Sequence, residues 1–189
     1  MPAADILVLG IGNILWADEG FGVRALEALH DRWDMAEGVD LLDGGTQGLY
    51  LVSQVAGRRR LLVFDAVDYG LPPGTLKLVR DSAVPAFLGA KKVSLHQTGF
   101  QEVLSGAALL GRAPPEILLV GVQPLRIDDW GGGLTAVMEA ALTPAVEAAL
   151  DQLARWGAPA RPAATPRSLL AHGLARSDYE RPAPCARRS

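Results

Sequence analysis

Acids at the ends of apolar runs are the residues best suited to chemistry in this sequence. Asp18 and Glu19 stand in the loop after the run 6–9, Asp43 closes the run 39–42, and Asp65 closes the run 61–64 with Asp68 shortly after. His96 follows in what reads as the first turn of a helix. Carboxylates held close together repel one another, and a bound cation or a raised pKa relieves them. Two carboxylates and one imidazole leave open positions on a divalent transition ion, and nickel, zinc and manganese all accept such oxygen and nitrogen donors. The donor types alone do not choose among these ions.

Each of these residues also has a purely structural reading. Asp18 can cap the helix that starts near Glu19, where acids are favoured in the first turn. Asp43 precedes Gly44-Gly45 and can form a turn by accepting from its own backbone. Asp65 follows Leu61-Leu62-Val63-Phe64, so it is partly buried, and a buried carboxylate requires a partner. His96 can be a polar residue at a helix start. Of the three histidines, however, His172 lies near the C-terminus and His30 falls beside the apolar stripe of the first helix, which leaves His96 as the one placed to join the acids. Proximity to a positive helix end disfavours its protonated form and keeps a lone pair available for metal.

The elements that must position these groups can be read from hydrophobic periodicity. Residues 6–9 form a continuous apolar run between Asp5 and Gly10, the pattern of a parallel strand buried on both faces. Val23, Leu26, Leu29, His30 and Trp33 recur at near-helical spacing, so a helix follows the loop 10–20. Further strands are expected at 39–42, 61–64 and 117–122, with a weaker antiparallel or edge strand at 75–79. Thr46 can cap a second helix that runs to about Val55. Ser94-Leu95-His96-Gln97 has the spacing of a capping box and opens a third helix. A long helix over 134–156 should be kinked or divided by Pro144. Strands alternating with helices predict a doubly wound α/β fold, a mostly parallel sheet of about five strands with helices on both faces. Ligands in such folds bind outside the carboxyl ends of the strands, where the acids stand.

Bulk properties exclude several classes. A length of 189 residues with 49% hydrophobic and 21% charged residues fits one domain with a full core. The formal charge of −3, with both signs interspersed, argues against nucleic-acid or membrane partners. Met-Pro-Ala-Ala-Asp leads directly into a strand without the features of a secretory signal, so a cytoplasmic location is expected. Cys185 is the only cysteine, which rules out a disulfide framework and a thiolate zinc site within the chain. No Gly-x-Ser-x-Gly elbow occurs either. Gly10-Ile11-Gly12 suggests a dinucleotide fingerprint, but the third glycine is replaced by Leu15. Trp16 and Trp130 fall in rim loops, where each can contact a partner or cover apolar surface. One α/β domain is expected over 1–156. From Gly157 onward the composition shifts to Pro, Ala and Arg, six Arg against one Asp and one Glu, and a flexible tail is expected over 157–189.

These motifs, taken in order, carry a resemblance. Gly10-Ile11-Gly12-Asn13-Ile14-Leu15 and Asp18-Glu19-Gly20-Phe21-Gly22-Val23 resemble the opening signature of hydrogenase maturation endopeptidases. Leu42-Asp43-Gly44-Gly45-Thr46, Phe64-Asp65-Ala66 and Ser94-Leu95-His96-Gln97 resemble the next three blocks of that family. Val120-Gly121-Val122-Gln123-Pro124 and Gly133-Leu134-Thr135 resemble the last two, and the likeness covers roughly residues 5–156. The resemblance implies that Glu19, Asp65 and His96 bind metal, and that the metal is nickel supplied by the substrate, with other divalent transition ions able to substitute in vitro. It implies as substrate the precursor of a nickel-iron hydrogenase large subunit, cut near its C-terminus once nickel is inserted. An acid left out of the ligand set can serve as general base, and Asp43 and Asp18 are the candidates for this aspartyl-type chemistry. A monomer is expected. The rival readings are a nickel-sensing chaperone that holds the large subunit without cutting it, and a nucleotide-dependent enzyme using the turn at Gly10 to Gly12.

Overall fold

The computed structural model describes residues 5–84, 95–131 and 133–165, with side chains omitted at 95–99. Four parallel strands form the centre: β1 (Ile6–Ile11), β3 (Val39–Gly45), β4 (Arg60–Ala66) and β6 (Glu116–Val122). β5 (Leu76–Arg80) runs antiparallel along the edge of β6, and the sheet order is β3-β1-β4-β6-β5. The apolar runs explain the order. β1 is buried at every position and β4 and β6 at all but the first, so these three fill the middle of the sheet, while the more exposed β3 and β5 form its edges.

Helices cover both faces. α1 (Phe21–Arg32) and α4 (Ala136–Arg155) pack on one side through Phe21, Leu26, Leu29, Met138, Ala145 and Leu153. On the other side a 3₁₀ turn (Gly48–Leu51), the single-turn α2 (Val52–Val55) and α3 (Leu95–Leu109) pack through Leu51, Val55, Phe100, Val103 and Leu104. The fold is therefore the expected doubly wound α/β, with about five strands. Among the described residues no helix is long and apolar enough to cross a membrane.

Four local expectations change. Thr46 caps nothing: the second helix begins as the 3₁₀ turn preceded by Gln47, and only one α-helical turn follows. Pro144 lies inside an unbroken α4, so of the two effects expected of it, kinking or dividing the helix, division does not occur. Trp33 leaves α1 and starts β2 (Trp33–Asp34), a short strand paired antiparallel with β7 (Arg161–Pro162). The folded body accordingly continues past 156. Ala158 is buried in the core, and Ala163 donates to the Arg32 carbonyl, where composition alone suggested a tail. The capping serine, Ser94, and the stretch 166–189 with His172 and Cys185 lie outside the described residues.

Candidate active site

Because β1, β3, β4 and β6 are parallel, their carboxyl ends share one edge of the sheet. In register Asp43 stands opposite Gly10, and Gly10 opposite Phe64. Asp43 and the neighbourhood of Asp65 are thus at one level, two strand spacings or about 10 Å apart. Close backbone packing brings the first loop to this edge. A Cβ at Gly22 would stand 2.2 Å from the carbonyl oxygens of both Ile11 and Phe64, so only glycine lets α1 start directly on the ends of β1 and β4. Gly12, at φ 133°, passes so close beneath the Glu19 carbonyl that no side chain fits, and the 3₁₀ turn Ala17–Gly20 folds back over it.

Glu19 is carried on that turn, its amide bonded to the Trp16 carbonyl at 2.9 Å. Burial raises the pKa of its carboxyl. Asp65 has no solvent exposure at all. Loss of solvation pushes its carboxyl well above the usual carboxylate range, the Ala66 amide opposes this, and the negative charge of Glu19 adds to it. Glu19, on the 3₁₀ turn, and Asp65, near the end of β4, are therefore close enough for the charge of one to act on the other. The backbone of His96 lies in the first turn of α3, but its side chain is outside the described residues, and no trio of His, Cys, Asp or Glu able to hold a metal occurs among those described.

Asp43 lines a cleft of about 200 Å³ together with Gly12, Asn13 and Thr46. Its Oδ1 accepts from the Gly45 amide at 2.9 Å, so it is also the turn former that the double glycine suggests. Burial raises its carboxyl pKa, against the Gly45 hydrogen bond and the positive charge of Arg24. Arg24 is 3% exposed and pairs with Glu27 at 2.9 Å.

Asp18 takes a different role. Its carboxylate accepts from the Leu125 amide (2.9 Å), the Arg126 amide (2.8 Å), the Thr135 amide (2.7 Å) and the Thr135 hydroxyl (3.1 Å). It does not cap its own helix but clasps the loop that follows β6. Occupied four ways, it is a structural acceptor. Asp68 is likewise structural, accepting from Gly70 and from Gln123, whose own carbonyl oxygen accepts from the amides of Tyr69 and Leu71.

Three contributors were not recognisable as site residues in the sequence. Arg24 looks like an ordinary helix-surface charge, although its place on the buried side of α1 is a readable signal. Gln123 follows the last apolar run and is the buried amide that organises the turn after β4. Tyr69 lies against Gly121, where a Cβ would be 1.8 Å from the phenol oxygen, and Gly121 is the register partner of Asp65. Burial and the Asp65 charge push the phenol pKa upward.

Comparison with known proteins identifies the setting of these acids. Residues 23–152 match the family model described as hydrogenase maturation protease. A relative from Thiocapsa roseopersicina, hydrogenase expression/formation protein HupD, is 64% identical over 157 residues, covering 83% of this chain and 71% of that protein. The HupD of Bradyrhizobium diazoefficiens is 57% identical over 94% of this chain and 95% of its own. The chain belongs to the hydrogenase maturation protease family. Its fold agrees with the solved hydrogenase maturating endopeptidase HybD from E. coli, at a TM-score of 0.79 and 42% identity, over 83% of this chain and 96% of that one. Membership makes this protein a peptidase, and the strand-end acids are its candidate active site.

Proposed function

We propose that this maturation protease removes the C-terminal extension of a nickel-iron hydrogenase large-subunit precursor, and that nickel already seated in the precursor is the signal for cutting. The observation that carries this reading is the packing of the turn that bears Glu19 on β4, near whose end the fully buried Asp65 stands, at the edge of the sheet where ligands bind. Two carboxylates whose ionisation is opposed by burial, and for Asp65 also by the charge of Glu19, suit a cation that arrives with the substrate. Glu19 and Asp65, with His96 as third donor, would hold that ion through oxygen and nitrogen. An ion so held would supply Lewis-acid chemistry, polarising a peptide carbonyl of the precursor.

Asp43 supplies the proton chemistry in this reading. It is partly exposed in a cleft that a chain can enter, and the Gly45 hydrogen bond fixes one of its oxygens. Arg24 favours its ionised form, which can take a proton from the attacking water. Incubating the protein with nickel-loaded and nickel-free precursor and weighing the products tests the proposal. Only the loaded precursor should lose its C-terminal peptide; intact loaded precursor after prolonged incubation with active protein would refute it.

A further inference from the structure

The loops leaving β1 and β6, the strands on either side of β4, are joined above its end. Trp16 and Trp130 form an isolated antiparallel bridge, the Gly131 amide donates to the Leu15 carbonyl at 2.7 Å, and the Asp18 amide donates to the Arg126 carbonyl at 3.0 Å. The two indoles meet edge to face with centroids 5.3 Å apart. The joint continues directly into the site, because the Trp16 carbonyl accepts the Glu19 amide. It is also held in an unfavourable backbone conformation. Ala17, between Trp16 and Asp18, sits at φ 37°, a left-handed geometry that non-glycine residues avoid and that persists only where surrounding contacts enforce it.

A joint built only for stability would bury its apolar groups. Trp130 is 57% exposed and Leu125 58%, although the Leu125 amide is fastened to the buried Asp18. Large apolar side chains fixed on rigid backbone and left in solvent beside a site are the features of a binding anchor. We infer that Trp16, Trp130 and Leu125 form a preorganised apolar wall that grips a hydrophobic side chain of the precursor next to the bond to be cut. The occupant follows from continuity with the site, since the Trp16 carbonyl accepts the Glu19 amide and the wall therefore adjoins Glu19. This rests on the function proposed above.

The test compares wild type, Trp130→Ala, Trp130→Phe and Leu125→Ala in precursor binding and in steady-state cleavage. Trp130→Ala should weaken binding and raise KM at least about tenfold, with kcat and melting temperature nearly unchanged. Trp130→Phe should recover much of the loss, and Leu125→Ala should show a smaller loss of the same kind. Replacing the apolar precursor residue by Ser should cost far less against Trp130→Ala than against wild type. An unchanged KM, or a fall in kcat alone, would overturn the inference and leave the peptidase reading intact, because the loop would then serve only to hold Glu19. If wild type binds loaded precursor without cutting it while Trp130→Ala does not bind, the wall stands and the proposed cleavage fails. If wild type neither binds nor cuts, both fall.

Discussion

Asp18 and Asp65 are both fully buried carboxylates at the same edge of the sheet, yet their surroundings differ in kind. Three backbone amides and one hydroxyl converge on Asp18, so the protein replaces its lost hydration with fixed donors. Around Asp65 burial dominates, the Ala66 amide opposes it, and the charge of Glu19 that acts on it has the same sign. Burial alone is therefore a poor guide to function. One environment holds its carboxylate with fixed donors, and the other raises the pKa of its carboxyl.

Five changes sharpen or break this contrast. The largest effect is expected at Asp43, the acid neither clasped nor fully buried. Asp43→Asn should lower kcat by about 10²–10⁴-fold with the fold intact, measured on purified precursor. Its carboxyl is raised by burial, so wild-type turnover should fall as pH drops through a point above the ordinary aspartate range. Arg24→Met should move that acid limb to still higher pH. Next, Asp18→Ala should cost about 3 kcal/mol or more in chemical denaturation, because buried amides of the loop after β6 lose their acceptor. A loss well below 1 kcal/mol would remove the distinction between the two acids.

Asp65→Asn should act in the opposite sense on stability, raising the melting temperature while slowing processing by less than Asp43→Asn does. Its folded pKa lies above the unfolded one, so the wild type loses stability as pH rises beyond the usual carboxylate range. Asn cannot ionise, and its advantage should grow with pH through that window; an advantage that is constant or shrinks with pH would contradict the assignment. The smallest effect is expected at Ala17. Ala17→Gly should stabilise by no more than about 1 kcal/mol, as relief of the positive φ is offset by backbone freedom in the unfolded chain. Calorimetry reads it directly.

The contrast also shows which features are legible in a sequence. The runs that became β1, β4 and β6 reveal their burial residue by residue, and Asp65 follows from the end of one of them. The weak run at 75–79 reads correctly as an antiparallel edge, because incomplete burial is visible in its composition. Asp18 is different. Its partners lie 107 to 117 positions further along the chain and are mostly backbone amides, which carry no residue identity. Tyr69 is hidden for a related reason, since its place is created by the missing side chain of Gly121 on a distant strand. The resemblance named Glu19 and Asp65, whereas the shared electrostatics of the pair required coordinates.

The bridge between Trp16 and Trp130, reinforced by the Asp18 clasp, has a kinetic consequence. A mouth whose two lips are already fastened together has little left to arrange when a partner arrives. Encounter should therefore proceed without a slow closing step in this part of the enzyme, and any sluggish phase in processing would belong to the incoming protein's own end finding its shape.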